Sequence, residues 1–352
     1  MDKTLLFSPW KIKDLELKNR VVMAPMDQYS AVDGYTNEWH THHYVSRAIG
    51  QVGLIIFEVA AVSAKGRIDP GDLGIYEDGH IEGLAKIVAE CHKYGSKVAL
   101  QIGHAGRRGQ LKDTPLLAPT ALRFNEQYAT PKEMDTNDIK QVILEFKQAG
   151  LRAKQAGFDA LEIHAAHGYL LSSFLSPLTN QRSDAYGKNR ALILQEILEN
   201  LRETMDLPLI VRVSATDYHK QGNTPEKMAE LLEPLSPLYD ALNVSSGGVV
   251  QAPPKNYRAT SGKATEETSI KVYPGYQIPY ALVLKEALDK PTIGGGLLEE
   301  PKMAQRLVGS QVVDAIYLAR ALLKNPFWCF NAAMSLGQEI EIPKPYARMV
   351  YL

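Results

Sequence analysis

Short apolar runs recur along the chain, each followed by a longer stretch of mixed polarity. The runs predict strands over Val21–Ala24, Gly53–Val59, Val98–Gly103, Ala160–His164, Leu209–Ser214, Ala241–Ser245, Pro291–Ile293 and Ala315–Leu318. Segments such as GLIIFEV and LPLIVRVS barely alternate, the mark of strands covered on both faces as in parallel sheets. Between them, Ile81–Tyr94, Ile139–Ala156, Arg190–Met205, Thr224–Tyr239 and Tyr280–Leu288 read as amphipathic helices. The clearest is Ile139–Ala156, where Ile139, Val142, Ile143, Phe146 and Leu151 fall near a helical period and Gly157 ends the helix. Thr224 is placed as an N-cap, with Pro225 in the first turn. Eight strand–helix units predict a (β/α)8 TIM barrel, one α/β domain over residues 1–352. An open doubly wound sheet is the rival, weakened because no G-x-G-x-x-G follows an early strand. The polar insert Gln251–Lys271 after the sixth strand is long for a barrel loop and reads as functional or mobile, a lid or a subunit contact.

Composition narrows the partners. The chain has 352 residues, 45% of them hydrophobic, and a formal net charge of −1. Such a balance offers no global field for nucleic acid or an anionic membrane. Cys91 and Cys329 match no disulfide, zinc or iron–sulfur spacing, which favours a reducing cytoplasm. No apolar run approaches the ~18 residues of a membrane span, and the first residues lack a secretory pattern.

Polar groups gather where the predicted strands stop, and barrel active sites lie at the carboxyl ends of strands. The first strand runs into Ala24-Pro25-Met26-Asp27-Gln28-Tyr29. The third carries Gln101 and ends in His104. The fourth ends in His164, followed by His167 and Tyr169, and the fifth carries Arg212. The seventh enters Gly294-Gly295-Gly296 and the eighth ends at Ala319-Arg320, which together suggest a phosphate site: bare backbone N–H groups plus a guanidinium. His164 and His167 are also compatible with buried structural histidines or metal ligands. With no third ligand close in sequence, no metal is expected. His40 and His43 are expected half-buried at a helix start, and Arg107-Arg108 in a solvated turn.

The segment His164-Ala-Ala-His167-Gly-Tyr169-Leu-Leu, continuing through Phe174-Leu-Ser-Pro177, Asn180-Gln-Arg182 and Asp184-Ala-Tyr186-Gly187, resembles the Old Yellow Enzyme family of FMN-dependent ene-reductases. Lys18-Asn19-Arg20, Gln101-Ile-Gly-His104-Ala-Gly106-Arg107, Val211-Arg212-Val-Ser214 and Leu318-Ala-Arg320 extend the likeness over nearly the whole chain. The resemblance implies tightly bound FMN with NADH or NADPH as reductant and an α,β-unsaturated carbonyl substrate. Ala24, Pro25, Met26, Asp27, Gln101 and Arg212 would meet the isoalloxazine; Gly295, Gly296, Ala319 and Arg320 would hold the phosphate. His164 and His167 would grip the substrate carbonyl, Tyr169 would donate the proton, and Tyr29 would line the substrate pocket. Arg348, in Pro345-Tyr-Ala-Arg348, matches the C-terminal arginine that the short bacterial members contribute across a subunit contact. That implies a homodimer or homotetramer with the tail 337–352 at the interface. Another specialised substrate, such as an enoyl or dienoyl thioester, or a flavin-binding protein of low turnover, stays open.

Asp27 departs from the family pattern. It stands where this subgroup typically carries cysteine and other members threonine. A carboxylate there disfavours an anionic reduced flavin, so a lower flavin potential or a different substrate is expected, unless Asp27 turns away and bonds backbone. The stretch Tyr186–Arg190 is shorter than the family pattern.

Overall fold

The computed structural model describes residues 5–112, 114–250 and 270–350. Most of the insert Gln251–Lys271, residues 251–269, lies outside the described residues, as do 351–352 of the tail. The barrel strands are β1 (Val21–Met23), β2 (Leu54–Ala61), β3 (Lys97–Gly103), β4 (Ala160–Ala165), β5 (Leu209–Ser214), β6 (Ala241–Ser245), β7 (Thr292–Gly294) and β8 (Ala315–Leu318). Each pairs in parallel with the next, and β8 returns to β1, which closes the ring. Closure excludes the open doubly wound sheet. Every expected strand is present, with boundaries shifted by two residues at most. The largest shift is at the end of β2, where a bulge between Phe57 and Ala60 carries the pairing on to Ala61.

Helices α1 (Glu38–Ile49), α2 (His80–His92), α3 (Thr136–Gln155), α4 (Leu192–Thr204), α5 (Pro225–Leu232), α6 (Ile278–Leu288), α7 (Pro301–Gly309) and α8 (Trp328–Leu336) alternate with the strands. The helix α3 starts ahead of its apolar stripe because Asp135 caps it, accepting from the N–H groups of Asn137 and Asp138. Thr224 does cap α5. The expected Thr224–Tyr239 helix stops being α-helical at Leu232 and continues as a 3-10 turn over Glu233–Leu238, since Pro234 and Pro237 lack the N–H that an α-helix needs. His40 and His43 lie on α1 as expected, but they are buried, at 0% and 4% exposure, rather than half-buried. They share the buried face of α1 with Tyr44, whose ring stacks on Phe57 of β2.

Two apolar layers result. One lies between strands and helices. The other is inside the ring, where Val22, Leu54, Ile56, Ala99, Ala160, Ile210, Ala241, Ile293 and Ala315 meet Trp10, Ile12 and Leu17. Those last three come from an antiparallel hairpin, Trp10–Ile12 with Leu15–Leu17, absent from the sequence expectations. The interior strand residues come from the amino-terminal halves of the strands, so the hairpin plugs that end and leaves the carboxyl ends for chemistry. Among the described residues no helix is long and apolar enough to cross a membrane.

Candidate active site

Strand register brings the first polar groups together. In the parallel ladder Gln101 of β3 lies beside Glu162 of β4, and Arg212 of β5 lies between His164 and Asn243. Glu162 is fully buried. Its carboxylate accepts from Gln101 Nε2 at 2.7 Å and Asn243 Nδ2 at 2.6 Å, and lies 3.8 Å from Arg212 Nη1. Burial pushes this carboxyl above its ordinary range, against the pull of Arg212, Asn243 and Gln101. Glu162 thus orients the Gln101 amide and the Arg212 guanidinium from below. It was absent from the sequence-based site; a lone charge inside the apolar run Ala160–His164 was the available signal.

The turn after β4 is held against the loop after β6. His167 takes a left-handed conformation with φ of 62°, followed by Gly168 at 73°. A Cβ on Gly168 would stand 2.3 Å from the Gly248 carbonyl oxygen, and one on Gly248 2.6 Å from His167 Cα. Only glycines permit this approach. It brings the His167 N–H to Ser214 Oγ (3.0 Å) and its ring Nε2 to Ser245 Oγ (2.7 Å). Ser245 Oγ also accepts from Gln277 Nε2 at 3.1 Å. His164 Nδ1 accepts the Ala166 N–H, which leaves its proton on Nε2. Burial, then the nearby charges of Arg212 and Arg108, hold both imidazoles far below the usual histidine range. Both are therefore neutral N–H donors at neutral pH. The His164 ring centroid lies 5.3 Å from that of His167 and 5.0 Å from that of Tyr169.

Two adjoining cavities open at the carboxyl ends of the strands, about 290 Å³ and about 170 Å³, the scale of a small-molecule site. His164, His167, Tyr169, Pro25, Asp27 and Gln101 line the larger. Gly296, Ala319 and Arg320 line the smaller, and Arg212 borders both. Gly295 packs beside it: a Cβ there would meet the Tyr317 ring at 2.4 Å. Ala24 is buried beneath the mouth and Met26 packs half-buried on the core. Tyr29 stands half-exposed, its hydroxyl 3.4 Å from Asp27 Oδ2. Arg348 is exposed and lines neither cavity; its neighbour Tyr346 packs edge-on against Phe327.

Two residues differ from expectation. Arg107 and Arg108 are not a solvated turn. Gly106, at φ of +59°, tucks against Leu170 and folds both side chains inward. Arg107 is 5% exposed and donates to the Val249 carbonyl. Arg108 lines the larger cavity, donates to the His167 carbonyl and holds its guanidinium 4.9 Å from the Tyr169 ring centre. Asp27 does not turn away, though it does bond backbone. It faces the cavity and also accepts the Val59 backbone N–H. Burial pushes its carboxyl up to about 6, with the Val59 N–H, the Tyr29 hydroxyl and Arg212 pulling the other way.

Comparison with known proteins gives a consistent result. The family described as NADH:flavin oxidoreductase / NADH oxidase matches residues 5–339. The NADPH dehydrogenase of Bacillus subtilis (strain 168) is 43% identical over 349 residues, covering 97% of this chain and 98% of that protein. The NADPH dehydrogenase of Geobacillus sp. (strain WCH70) is 42% identical over 352 residues, covering 98% of each. Among solved structures, morphinone reductase in complex with tetrahydroNAD aligns with a TM-score of 0.76 at 25% identity, covering 97% of this chain and 93% of that one.

Proposed function

The chain belongs to the NADH:flavin oxidoreductase / NADH oxidase family, the Old Yellow Enzyme family of FMN-binding oxidoreductases, and on that premise we propose that it reduces the activated C=C bond of α,β-unsaturated carbonyl compounds. The observation that carries this reading is one cavity wall bearing two neutral imidazoles beside a phenol, His164, His167 and Tyr169.

The residues fit FMN. Arg212 Nε is buried with no hydrogen-bond partner among the described residues, a donor that an acceptor on the flavin ring would satisfy. Gln101 and Pro25 would border the same ring. Gly296, at φ of +100°, and Ala319 line the smaller cavity where a phosphate would lie, with Arg320 at the rim. Held there, the flavin would supply hydride chemistry toward the substrate β-carbon, with NAD(P)H as the reductant.

The chain's own groups do the rest. His164 Nε2–H donates to the carbonyl oxygen, which gains charge as the double bond is reduced, and His167, taken as its Nδ1–H tautomer, donates beside it; together they act as an oxyanion hole. Being neutral, they stabilise that charge without losing a proton to it. Tyr169 gives its hydroxyl proton to the α-carbon. Burial holds the Tyr169 phenol above its ordinary value, and Arg108 opposes that rise, so the guanidinium steadies the phenolate left after transfer. The tail from Gly337 onward is read as a subunit contact, with Arg348 reaching a neighbour's cavity; its exposure and its place outside the walls of the chain's own two cavities support this.

A visible spectrum of the purified protein, followed anaerobically by NADPH and then cyclohexenone, tests the reading. Bleaching by NADPH and return of colour with the enone are expected. Bleaching without return would point to another substrate, such as an enoyl thioester. A protein that takes up no FMN would overturn the reading.

A further inference from the structure

Beside Tyr169 lies a third, small cavity of about 10 Å³, bordered by Val59, Ala61, Ile68, Asp72, His104, His164 and Tyr169. Tyr169 and His164 are walls of both this cavity and the larger one. Its volume is about that of one water, which also needs two or more polar partners. Asp72 supplies one. It is 2% exposed, and its Oδ2 accepts the N–H groups of Ile68 (2.5 Å) and Asp69 (3.2 Å). Its Oδ1 is buried with no partner among the described residues. His104 supplies another. Its Nδ1 accepts the Gly106 N–H at 3.0 Å, and burial holds the ring neutral, at about 4, so its proton is on Nε2.

We propose that Asp72, through one water held in this cavity, returns a proton to Tyr169 after each turnover. The proposal rests on the ene-reductase reading above. Tyr169 loses its O–H proton to the substrate α-carbon and is left as a phenolate. The water gives that oxygen a proton and takes one from the Asp72 carboxyl. Asp72 is then reloaded from solvent through its own loop, where Asp69 is half-buried and Pro70 is exposed. No electrons move. Flavin and substrate would fill the larger cavity and cover that side of Tyr169, which leaves the small cavity as the way in for a proton. Burial, then the charge of Asp27, pushes the Asp72 carboxyl up to about 7, against the Ile68 and Asp69 N–H groups. A carboxylic acid in that range passes its proton downhill to a phenolate whose phenol lies above its ordinary value.

Asp27, Glu58, Asp69 and the Tyr29 and Tyr169 hydroxyls are the titratable groups coupled to Asp72, and Arg108 and His104 border Tyr169. Because the supply needs neutral Asp72, kcat falls as pH rises through about 7. The test is steady-state kcat against pH for the FMN-loaded enzyme with NADPH and cyclohexenone. Asp72→Asn, of nearly the same shape, is expected to lower kcat about tenfold at neutral pH, leave KM unchanged and abolish the limb near pH 7. Asp72→Glu restores both. Ala61 also borders the cavity, so Ala61→Val, which fills it while keeping the carboxyl, reproduces the loss and guards against misfolding of Asp72→Asn. An infrared band of a protonated carboxyl that titrates near neutral pH and vanishes in Asp72→Asn is expected independently of turnover. A wild-type enzyme that NADPH bleaches but cyclohexenone never reoxidises overturns the ene-reductase reading and this one with it. A wild-type that cycles, with Asp72→Asn and Ala61→Val keeping its kcat and pH limb, overturns the relay alone.

Discussion

Gly168→Ala tests whether the candidate oxyanion hole depends on two touching backbones. Gly168 has φ of +73°, and a Cβ there would stand 2.3 Å from the Gly248 carbonyl oxygen. The left-handed backbone alone costs an L-residue about 1–2 kcal/mol. The clash adds about 1–3 kcal/mol of overpacking, because the opposing atom is backbone and has no rotamer to change. About 1 Å must open before 2.3 Å becomes an ordinary 3.4 Å contact. That movement carries His167 off Ser245 Oγ, now 2.7 Å away, and misplaces its donor. A 1 Å displacement of a catalytic group costs about 100-fold in rate. The control is Gly157→Ala, also at positive φ (+87°) but meeting only a Val88 methyl at 3.6 Å. It should lower the melting temperature while kcat stays near wild type. The assay is kcat with NADPH and cyclohexenone alongside urea unfolding. Were Gly168→Ala to keep kcat within about twofold, the geometric argument for His167 would be wrong.

Further outcomes follow from the same geometry. Tyr169→Phe should leave flavin bleaching by NADPH intact and slow enone reduction by about 100-fold or more; equal rates in stopped-flow reoxidation would remove Tyr169 as the acid. Glu58, pushed by burial from 4.5 up to about 8, holds its proton more tightly folded than unfolded. Stability that it contributes is therefore present below its unfolded value and lost as pH rises toward about 8. Urea midpoints for Glu58→Gln should accordingly fall less steeply over that window than wild type, and parallel slopes would contradict the shift. Asp27→Asn should raise the flavin midpoint potential at neutral pH, where a carboxyl at about 6 is largely ionised; an unmoved potential in dye-coupled titration counts against it. Arg348→Ala should weaken both turnover and assembly, and a fully active variant of unchanged size by light scattering would detach the tail from the site.

Much of this protein was legible along the chain because the signals are local. Unbroken apolar runs separated by stretches of helical period specify eight strand–helix units, and polar residues crowded at the ends of those runs mark the face that carries the site. His164, His167, Tyr169, Gln101 and Arg212 were readable that way. Residues whose meaning depends on what lies across the ring were not. Glu162 reads as an oddity in an apolar strand until β3 and β5 flank it and its carboxylate finds Gln101 on β3 and Asn243 on β6, beyond β5. Arg108 reads as a surface charge until Gly106 folds it over Tyr169. Asp72 follows a Pro-Gly turn and becomes a buried, half-partnered carboxyl only when the loop after β2 closes on the loop after β3. Sequence by itself thus determined the elements, their order and the end of the barrel where polar groups gather, since those follow from periodicity over a few residues. Tertiary structure alone decided which polar groups share a cavity, which histidine nitrogens keep their protons and which carboxyls are pushed up, since burial and neighbouring charge are set by chain segments far apart in sequence that meet only when the ring closes.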